Sequence, residues 1–239
     1  MWILSLFLIL IAIFSGYAGS QTWFSLDRLS RENVLNSTLI ILVVFTLLMV
    51  AYVLGFFPQF IAAPFMMIIY SVIAGFFFGY AGRMLKIRSV AENILYQHRS
   101  FWIDHAPNLL AILLVLYGIF RTGLLTDQPM TGIRITSGVS LISFGFFTWT
   151  LKAVPEFRSK GVILLDRLIR WEHILSWGWQ SESVLAIEYI IEEKKEEERI
   201  RQFVTSIPEE DRKEIELILK SKMDEFYEER KKKLLKRDE

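Results

Sequence analysis

Residues 60–82 read FIAAPFMMIIYSVIAGFFFGYAG, a run without a single charged side chain. An α-helix of this length rises about 35 Å, which is enough to cross the hydrocarbon core of a bilayer. Residues 38–57 form a second uncharged run, and Pro58 separates the two. Because the connection is so short, the sequence predicts a hairpin of two membrane-spanning helices.

Further apolar segments extend this pattern on both sides of the hairpin. The first of these segments, at residues 2–17, lacks the Lys or Arg that usually precedes the apolar core of a signal peptide. We therefore favour a retained helix, with a cleaved signal peptide as the alternative. Residues 83–106 mix apolar with basic side chains, and we expect a helix lying along the membrane interface there. The sequence thus predicts about five transmembrane helices, at residues 2–17, 38–57, 60–82, 107–121 and 135–152.

The charged residues are distributed very unevenly. From Lys152 onward lie 19 of the 27 Lys and Arg residues and 21 of the 26 Asp and Glu residues. A soluble domain has too little interior to bury so apolar a first part, whereas a bilayer accepts it. We therefore predict a transmembrane helical domain at residues 1–154 and a water-soluble domain at residues 155–239.

The basic residues between the spans predict an orientation. Two lie before the second span and four follow the third, namely Arg28, Arg31, Arg83, Lys86, Arg88 and Arg99. The opposite loops hold only Arg121 and Arg134. Since Lys and Arg concentrate on the cytoplasmic side, we expect a multi-pass protein of the cell (inner) membrane, with the N-terminus outside and the C-terminal domain in the cytoplasm.

In the soluble part, the hydrophobic residues recur at a different period. Leu175, Trp177 and Trp179 alternate with polar residues, and residues 185–191 repeat the alternation. Period two over aromatic and β-branched residues predicts strands with one buried face. Later, Ile215, Leu219, Met223 and Phe226 recur at helical spacing. We expect an antiparallel sheet closed by a C-terminal helix.

This order of segments also resembles a known group. Ile169-Arg170-Trp171-Glu172-His173-Ile174 leads into Trp177-Gly178-Trp179, then a Leu185 strand, and Ile207-Pro208-Glu209-Glu210 opens a helix. The stretch is similar to small bacterial PH-like domains that follow transmembrane helices in proteins of unknown function. The resemblance implies a small α+β PH-like domain with a regulatory or protein-interaction role. It transfers no catalytic residue.

Three sets of residues are candidates for a special role. Ser71, Gly75 and Gly79 form a small face, which predicts either a dimerisation seam or packing within the chain against the second or fifth span. Trp171, Trp177, Trp179 and Tyr189 form a candidate interaction face, although their alternation favours the core. His98, Asp104 and His105 share a loop, but their spacing matches no metal site.

Several functions are disfavoured by composition. The formal net charge is only +1, which argues against a nucleic-acid partner, and there is no cysteine. The middle of each predicted span lacks an ionisable group of the kind that proton relays and intramembrane catalysts use. We expect no cofactor, no metal site and no catalytic residue.

Two hypotheses are left. The first is a non-enzymatic protein that is anchored in the bilayer and binds a protein partner, or a copy of itself, through its cytoplasmic domain. The alternative is a small channel or transporter that this domain regulates. The fifth span offers many hydroxyl groups for a pore, from Thr136, Ser137, Ser140, Ser143, Thr148 and Thr150.

Overall fold

The chain divides into two units in the structure, a computed structural model that describes residues 2–25, 31–98, 101–151, 154–192, 198–228 and 231. The helical unit comprises Met1–Lys86 and Asp104–Leu151. The C-terminal unit comprises Lys152–Glu239 together with the earlier segment Ile87–Ile103.

Five long helices precede the sheet region. They are α1 (Trp2–Ser20), α2 (Arg31–Val53), α3 (Gln59–Ala91), α4 (Phe101–Thr122) and α5 (Gly132–Thr150). Within the described residues, four of them contain a stretch that is long and apolar enough to cross a membrane, namely Trp2–Ser20, Leu35–Val53, Gln59–Ala91 and His105–Thr122. Four helices of this length and composition suggest a membrane protein. The fifth predicted span is helical but lies outside that set, because small polar residues dilute its apolar character.

Glycines bring two pairs of helices together in the helical unit. A methyl group on Gly75 would overlap the carbonyl oxygen of Ala12, and one on Gly79 would overlap that of Gly16. The Ser15 hydroxyl also donates to the carbonyl of Val72 at 2.7 Å. The same occurs between α4 and α5, where a methyl group on Gly138 would meet the carbonyl of Gly118 at 2.6 Å. Because glycine has no side chain, the backbones of the paired helices come into direct contact at these positions.

Aromatic rings connect α3 with α5. The Phe77 ring lies 4.9 Å from the rings of both Phe144 and Phe147, and Tyr80 lies 5.3 Å from Phe147. By contrast, no residue of the Leu35–Val53 stretch of α2 is buried. This helix is apolar on all sides, as expected for a helix whose surroundings are lipid.

Two antiparallel sheets make up most of the C-terminal unit. The first has the order β1-β2-β3-β4 and the second β5-β6-β7. The strands are β1 (Ile94–Gln97), β2 (Glu156–Arg158), β3 (Gly161–Leu164), β4 (Arg167–Arg170), β5 (Ile174–Ser181), β6 (Val184–Glu192) and β7 (Glu198–Ser206). Helix α6 (Arg212–Glu225) follows a short 3-10 turn at Glu209–Asp211.

One core joins both sheets to α6. Its fully buried members include Phe157, Trp171, Ile187, Ile215 and Leu219. Leu185, Ile187 and Tyr189 of β6 are buried as their alternation predicted, and so are Ile215 and Leu219 of α6. In β5 the alternating Leu175, Trp177 and Trp179 are only partly buried, and the buried residue of that strand is Ile174. Strands β5 and β6 form a hairpin, with Glu182 and Ser183 between them. The sheet region closed by a C-terminal helix is confirmed.

The stretch 83–106 differs from the expectation. It was predicted as one interfacial helix, which is wrong. Helix α3 instead continues to Ala91, Glu92 takes a left-handed conformation with φ of 61°, and β1 follows before α4 begins at Phe101. A short strand at the edge of a sheet carries little periodicity of its own, so its basic neighbours dominated the pattern. The C-terminal unit therefore begins within the helical part of the sequence.

Candidate functional site

A cleft of about 520 Å³ opens in the C-terminal unit beside β1. One wall is the strand itself with His98, and the other is the entry to α6. We call it the β1 cleft, and its lining residues are Ile94, Leu95, Tyr96, Gln97, His98, Pro208, Glu210, Asp211 and Glu214. The volume lies within the range of about 300–1,000 Å³ that is typical of ligand pockets.

Hydrogen bonds to Asp211 hold the two walls together. The Tyr96 hydroxyl donates to the Asp211 carboxylate at 2.6 Å, and His98 Nδ1 lies 3.4 Å from the same oxygen. Burial, followed by this hydrogen bond, raises the pKa of Tyr96 well above its ordinary value. The hydroxyl therefore stays protonated and keeps donating at neutral pH.

Among the Asp, Glu, Lys and Arg side chains, the described lining of the cleft carries only negative charge. Glu210, Asp211 and Glu214 contribute three carboxylates, and no Lys or Arg lines the described cleft. Arg212 is next in sequence but is engaged elsewhere, because it pairs with Glu216 at 3.1 Å and lies over the Trp179 ring at 4.8 Å. The cleft therefore favours a positively charged group.

A buried ion cluster fixes the strand that forms the first wall. Glu156 on β2 is 2% exposed, pairs with Arg158 at 2.7 Å and lies 3.5 Å from Arg88 near the end of α3. Arg158 also donates to the carbonyl oxygen of Glu92 at 2.7 Å. Buried charges need such partners. The cluster sets where α3 ends and where β1 begins to pair with β2.

The tryptophan set divides between core and partly buried positions. Trp171 is 0% exposed, and its indole donates to the carbonyl oxygens of Arg158 at 3.0 Å and Ser159 at 3.1 Å. Tyr189 is also buried. Neither can belong to a surface, so the interaction face is wrong for these two. Trp177 and Trp179 are partly buried and pack against the same core.

The small face of α3 has a partner in the chain. Gly75 and Gly79 meet α1, and Ser71 is buried on the same helix. Of the two alternatives, packing within the chain is the one that the structure shows. The partner is α1, whereas we had expected the second or fifth span. The signal was present as Ala12, Gly16 and Gly19, a second row of small residues.

The histidine loop does not assemble into a metal site. His98 lies in the β1 cleft, whereas His105 is an exposed residue of α4, and the side chain of Asp104 lies outside the described part of the structure. Among the residues that are described, no group of three or more His, Cys, Asp or Glu side chains is arranged to hold a metal ion.

The hydroxyl groups of α5 are engaged inside their own helix. Each donates to a carbonyl three or four residues earlier; for example, Ser140 donates to Ser137 and Ser143 to Val139, both at 2.8 Å. The others that do so are Thr136, Ser137, Thr148 and Thr150. Most of them are also buried. Each of these donors is therefore satisfied within α5.

Comparison with known proteins identifies one region. Residues 153–224 match a family model described as Domain of unknown function (DUF5673). The match spans β2 to α6, and it excludes β1. No curated protein and no solved structure matches the chain. The C-terminal region thus contains an uncharacterised domain. Strand β1, the first strand of the C-terminal unit, lies outside the matched residues.

Sequence reasoning overlooked the β1 cleft. Tyr96 and Gln97 were assigned to an interfacial helix, and Glu210, Asp211 and Glu214 were regarded only as the start of a helix. A weak signal existed in Ile94-Leu95-Tyr96, an apolar run directly after Glu92-Asn93. The pairing of this run with residues 156–158 is a long-range contact that no local pattern reveals.

Proposed function

We propose that this protein is a non-enzymatic, membrane-anchored interaction, assembly or regulatory protein that acts through its C-terminal unit. One observation carries the proposal. The unit takes β1 from between α3 and α4, so the chain passes between the two units three times, after Lys86, Ile103 and Leu151. A simple tether needs one such connection. Three connections are what we expect of a domain that transmits the effect of binding a partner to the helices.

The same strand supports the fifth membrane span. β1 precedes α4 and β2 follows α5, and the two strands are paired. Paired strands lie on one side of a membrane, so α4 and α5 either both cross it or both stay out. Because α4 is apolar and long enough to cross, we infer that α5 crosses too. Its internally bonded hydroxyls lower the cost of placing them in lipid.

Orientation follows from the basic residues near the ends of the spans. Arg83, Lys86 and Arg88 lie toward the end of α3 that leads to β1. We propose that this side is cytoplasmic, which puts the C-terminal unit in the cytoplasm and the N-terminus outside. We also infer a PH-like fold for the unit. Its antiparallel strands and closing helix α6 agree with the arrangement that the sequence resemblance implies.

The channel alternative gains no support from the helices. The hydroxyls of α5 are the polar groups that a pore would need, and they donate to their own backbone. Dimerisation through α3 is likewise weakened, since α1 occupies its small face. A partner in the cytoplasm is therefore the better hypothesis for what the protein binds.

Single cysteines test the orientation and the partner together, because the natural chain has none. The exposed positions are Leu217 on α6, Leu125 in the loop after α4, and Leu42 on α2. In right-side-out vesicles, a membrane-impermeant maleimide should label Leu125→Cys but not Leu217→Cys. In cells, a photo-crosslinker attached at 217 should give a protein adduct, whereas the matched position 42 should not.

The outcomes separate the parts of the proposal. Labelling of both 125 and 217 from outside would contradict the five-span orientation. Absence of any protein adduct from 217 and from two further exposed positions of the same unit, Ile200 and Val204, would contradict the interaction function. Adducts from position 42 alone would assign the partner to the membrane helices instead.

A further inference from the structure

We propose that the β1 cleft binds an extended, basic segment of a partner protein, which adds as a strand to the free edge of β1. The inference rests on the proposed function and specifies the partner's chemistry. It depends on three features of the cleft: an open strand edge, carboxylates on the facing wall, and apolar side chains beside them.

The open edge is the first feature. β1 is the outermost strand of its sheet, and in the described part of the chain it pairs with β2 alone. The unpaired side of an edge strand presents backbone N–H and C=O groups that can bind another extended chain. Peptide recognition by strand addition uses such an edge, and main-chain hydrogen bonds supply affinity that is independent of side chains.

The facing wall supplies the charge. Glu210 and Glu214 are exposed, and Asp211 is held in place by Tyr96. The described lining contains no Lys or Arg. An acidic peptide would be repelled, whereas a Lys or Arg side chain reaching across from the strand would meet carboxylates. Complementary charge of this kind selects the partner and speeds its encounter.

Apolar positions complete the match. Ile94 is 47% exposed and Leu95 37% exposed, and both line the cleft. Successive side chains of a strand point to opposite faces, so basic and apolar residues should alternate in the ligand. A small amine would use the carboxylates but would leave the strand edge and these side chains unused. The combination therefore favours a peptide.

The test is peptide binding to the full chain in mild detergent at low ionic strength. The probe is a fluorescent Lys-Val-Lys-Val-Lys-Val peptide, with Glu-Val-Glu-Val-Glu-Val as its charge-reversed counterpart. A second counterpart replaces each valine with proline, which removes backbone N–H donors. We expect saturable binding of the Lys-Val peptide only. The Lys-Pro peptide should bind at least tenfold more weakly.

Variants locate the binding. Glu210→Gln combined with Glu214→Gln should weaken binding about fivefold, since exposed charge pairs contribute modestly and salt screens them. The matched control is Glu209→Gln, because Glu209 is exposed in the same 3-10 turn but does not line the cleft. It should bind as the natural chain does.

Three results would overturn the inference. They are equal binding of the Lys-Val and Glu-Val peptides, equal binding of the Lys-Pro peptide, or the same loss from Glu209→Gln as from the double variant. The crosslinking experiment keeps the two proposals apart. Protein adducts at 217 without peptide binding would refute only the cleft, whereas peptide binding without adducts would refute only the cellular interaction.

Discussion

In the helical unit, α1 meets α3 and α4 meets α5 where side chains are missing, whereas large side chains fill the core of the C-terminal unit. Gly75 and Gly79 let α3 touch the backbone of α1. Trp171 and Phe157, both 0% exposed, occupy the middle of the other unit. The same chain thus uses two kinds of packing, one at each end.

The solvent explains the difference. In lipid, burying an apolar side chain between helices gains little, because lipid tails are just as apolar, so close backbone approach provides the attraction. In water, each large apolar side chain that leaves the solvent stabilises the fold by about 1.5–3 kcal/mol. The glycine contacts of the helical unit and the core of the C-terminal unit should therefore respond in opposite ways to a change in side-chain size.

Removing a large side chain from the C-terminal unit should have the largest effect. We expect Trp171→Ala to lower the free energy of unfolding of that unit by about 3–5 kcal/mol, because it leaves a cavity and two carbonyls without their donor. Denaturant unfolding followed by tryptophan fluorescence measures it. Ile200→Ala, at a 52% exposed position of β7, is the control and should change stability by less than about 0.5 kcal/mol.

Adding a small side chain to the helical unit should have the next largest effect. Gly79→Ala places a methyl group against the carbonyl of Gly16, and we expect a loss of about 1–3 kcal/mol. Gly82→Ala is the matched control in the same helix, since nothing lies within 4 Å of its added carbon. That variant should be neutral or more stable by up to about 1 kcal/mol.

Thermal unfolding in detergent compares these two variants. Opposite signs for positions 79 and 82 would support backbone packing between α1 and α3. Equal changes in stability at both positions would show that the effect comes from helix propensity alone. Close backbone packing would then no longer distinguish the helical unit from the C-terminal unit.

Local patterns predicted much of this fold, because both kinds of packing leave a mark on the sequence. Uncharged runs indicated the helices, and the alternation of Leu185, Ile187 and Tyr189 indicated a buried strand face. The stripe of Ile215 and Leu219 predicted how α6 packs. Each of these signals arises within one element, so it can be found without knowing what that element contacts.

The β1 cleft was missed because it depends on contacts between elements that are far apart in the sequence. The β1 cleft depends on β1 pairing with β2 across about 60 residues of sequence that include α4 and α5. The ion cluster that fixes this pairing joins Arg88 to Glu156. Neither residue belongs to a periodic pattern, and a basic residue just after an apolar run predicts a membrane boundary equally well. Likewise, small residues on α3 predicted close packing but could not identify α1 as the partner.

The smallest expected effect concerns the hydrogen bond from Tyr96 to Asp211, which connects the two walls of the β1 cleft. Tyr96→Phe removes the hydrogen bond to Asp211 and should cost about 1 kcal/mol at pH 7. Because folding raises the pKa of Tyr96 above its ordinary value of 10.0, the natural chain keeps its full advantage below pH 10 and loses it as the pH rises further. The stability difference between the two chains should therefore be constant from pH 7 to 9 and shrink between pH 10 and 11.

Denaturant unfolding of both chains at each pH measures this difference, and Tyr227→Phe is the control at an exposed tyrosine. Subtracting the two curves removes the alkaline effects that all variants share. A difference that stays constant up to pH 11 would mean that Tyr96 ionises alike in the folded and unfolded chain. The hydroxyl would then be solvated rather than bonded to Asp211, and the carboxylate would not be held in place for a ligand.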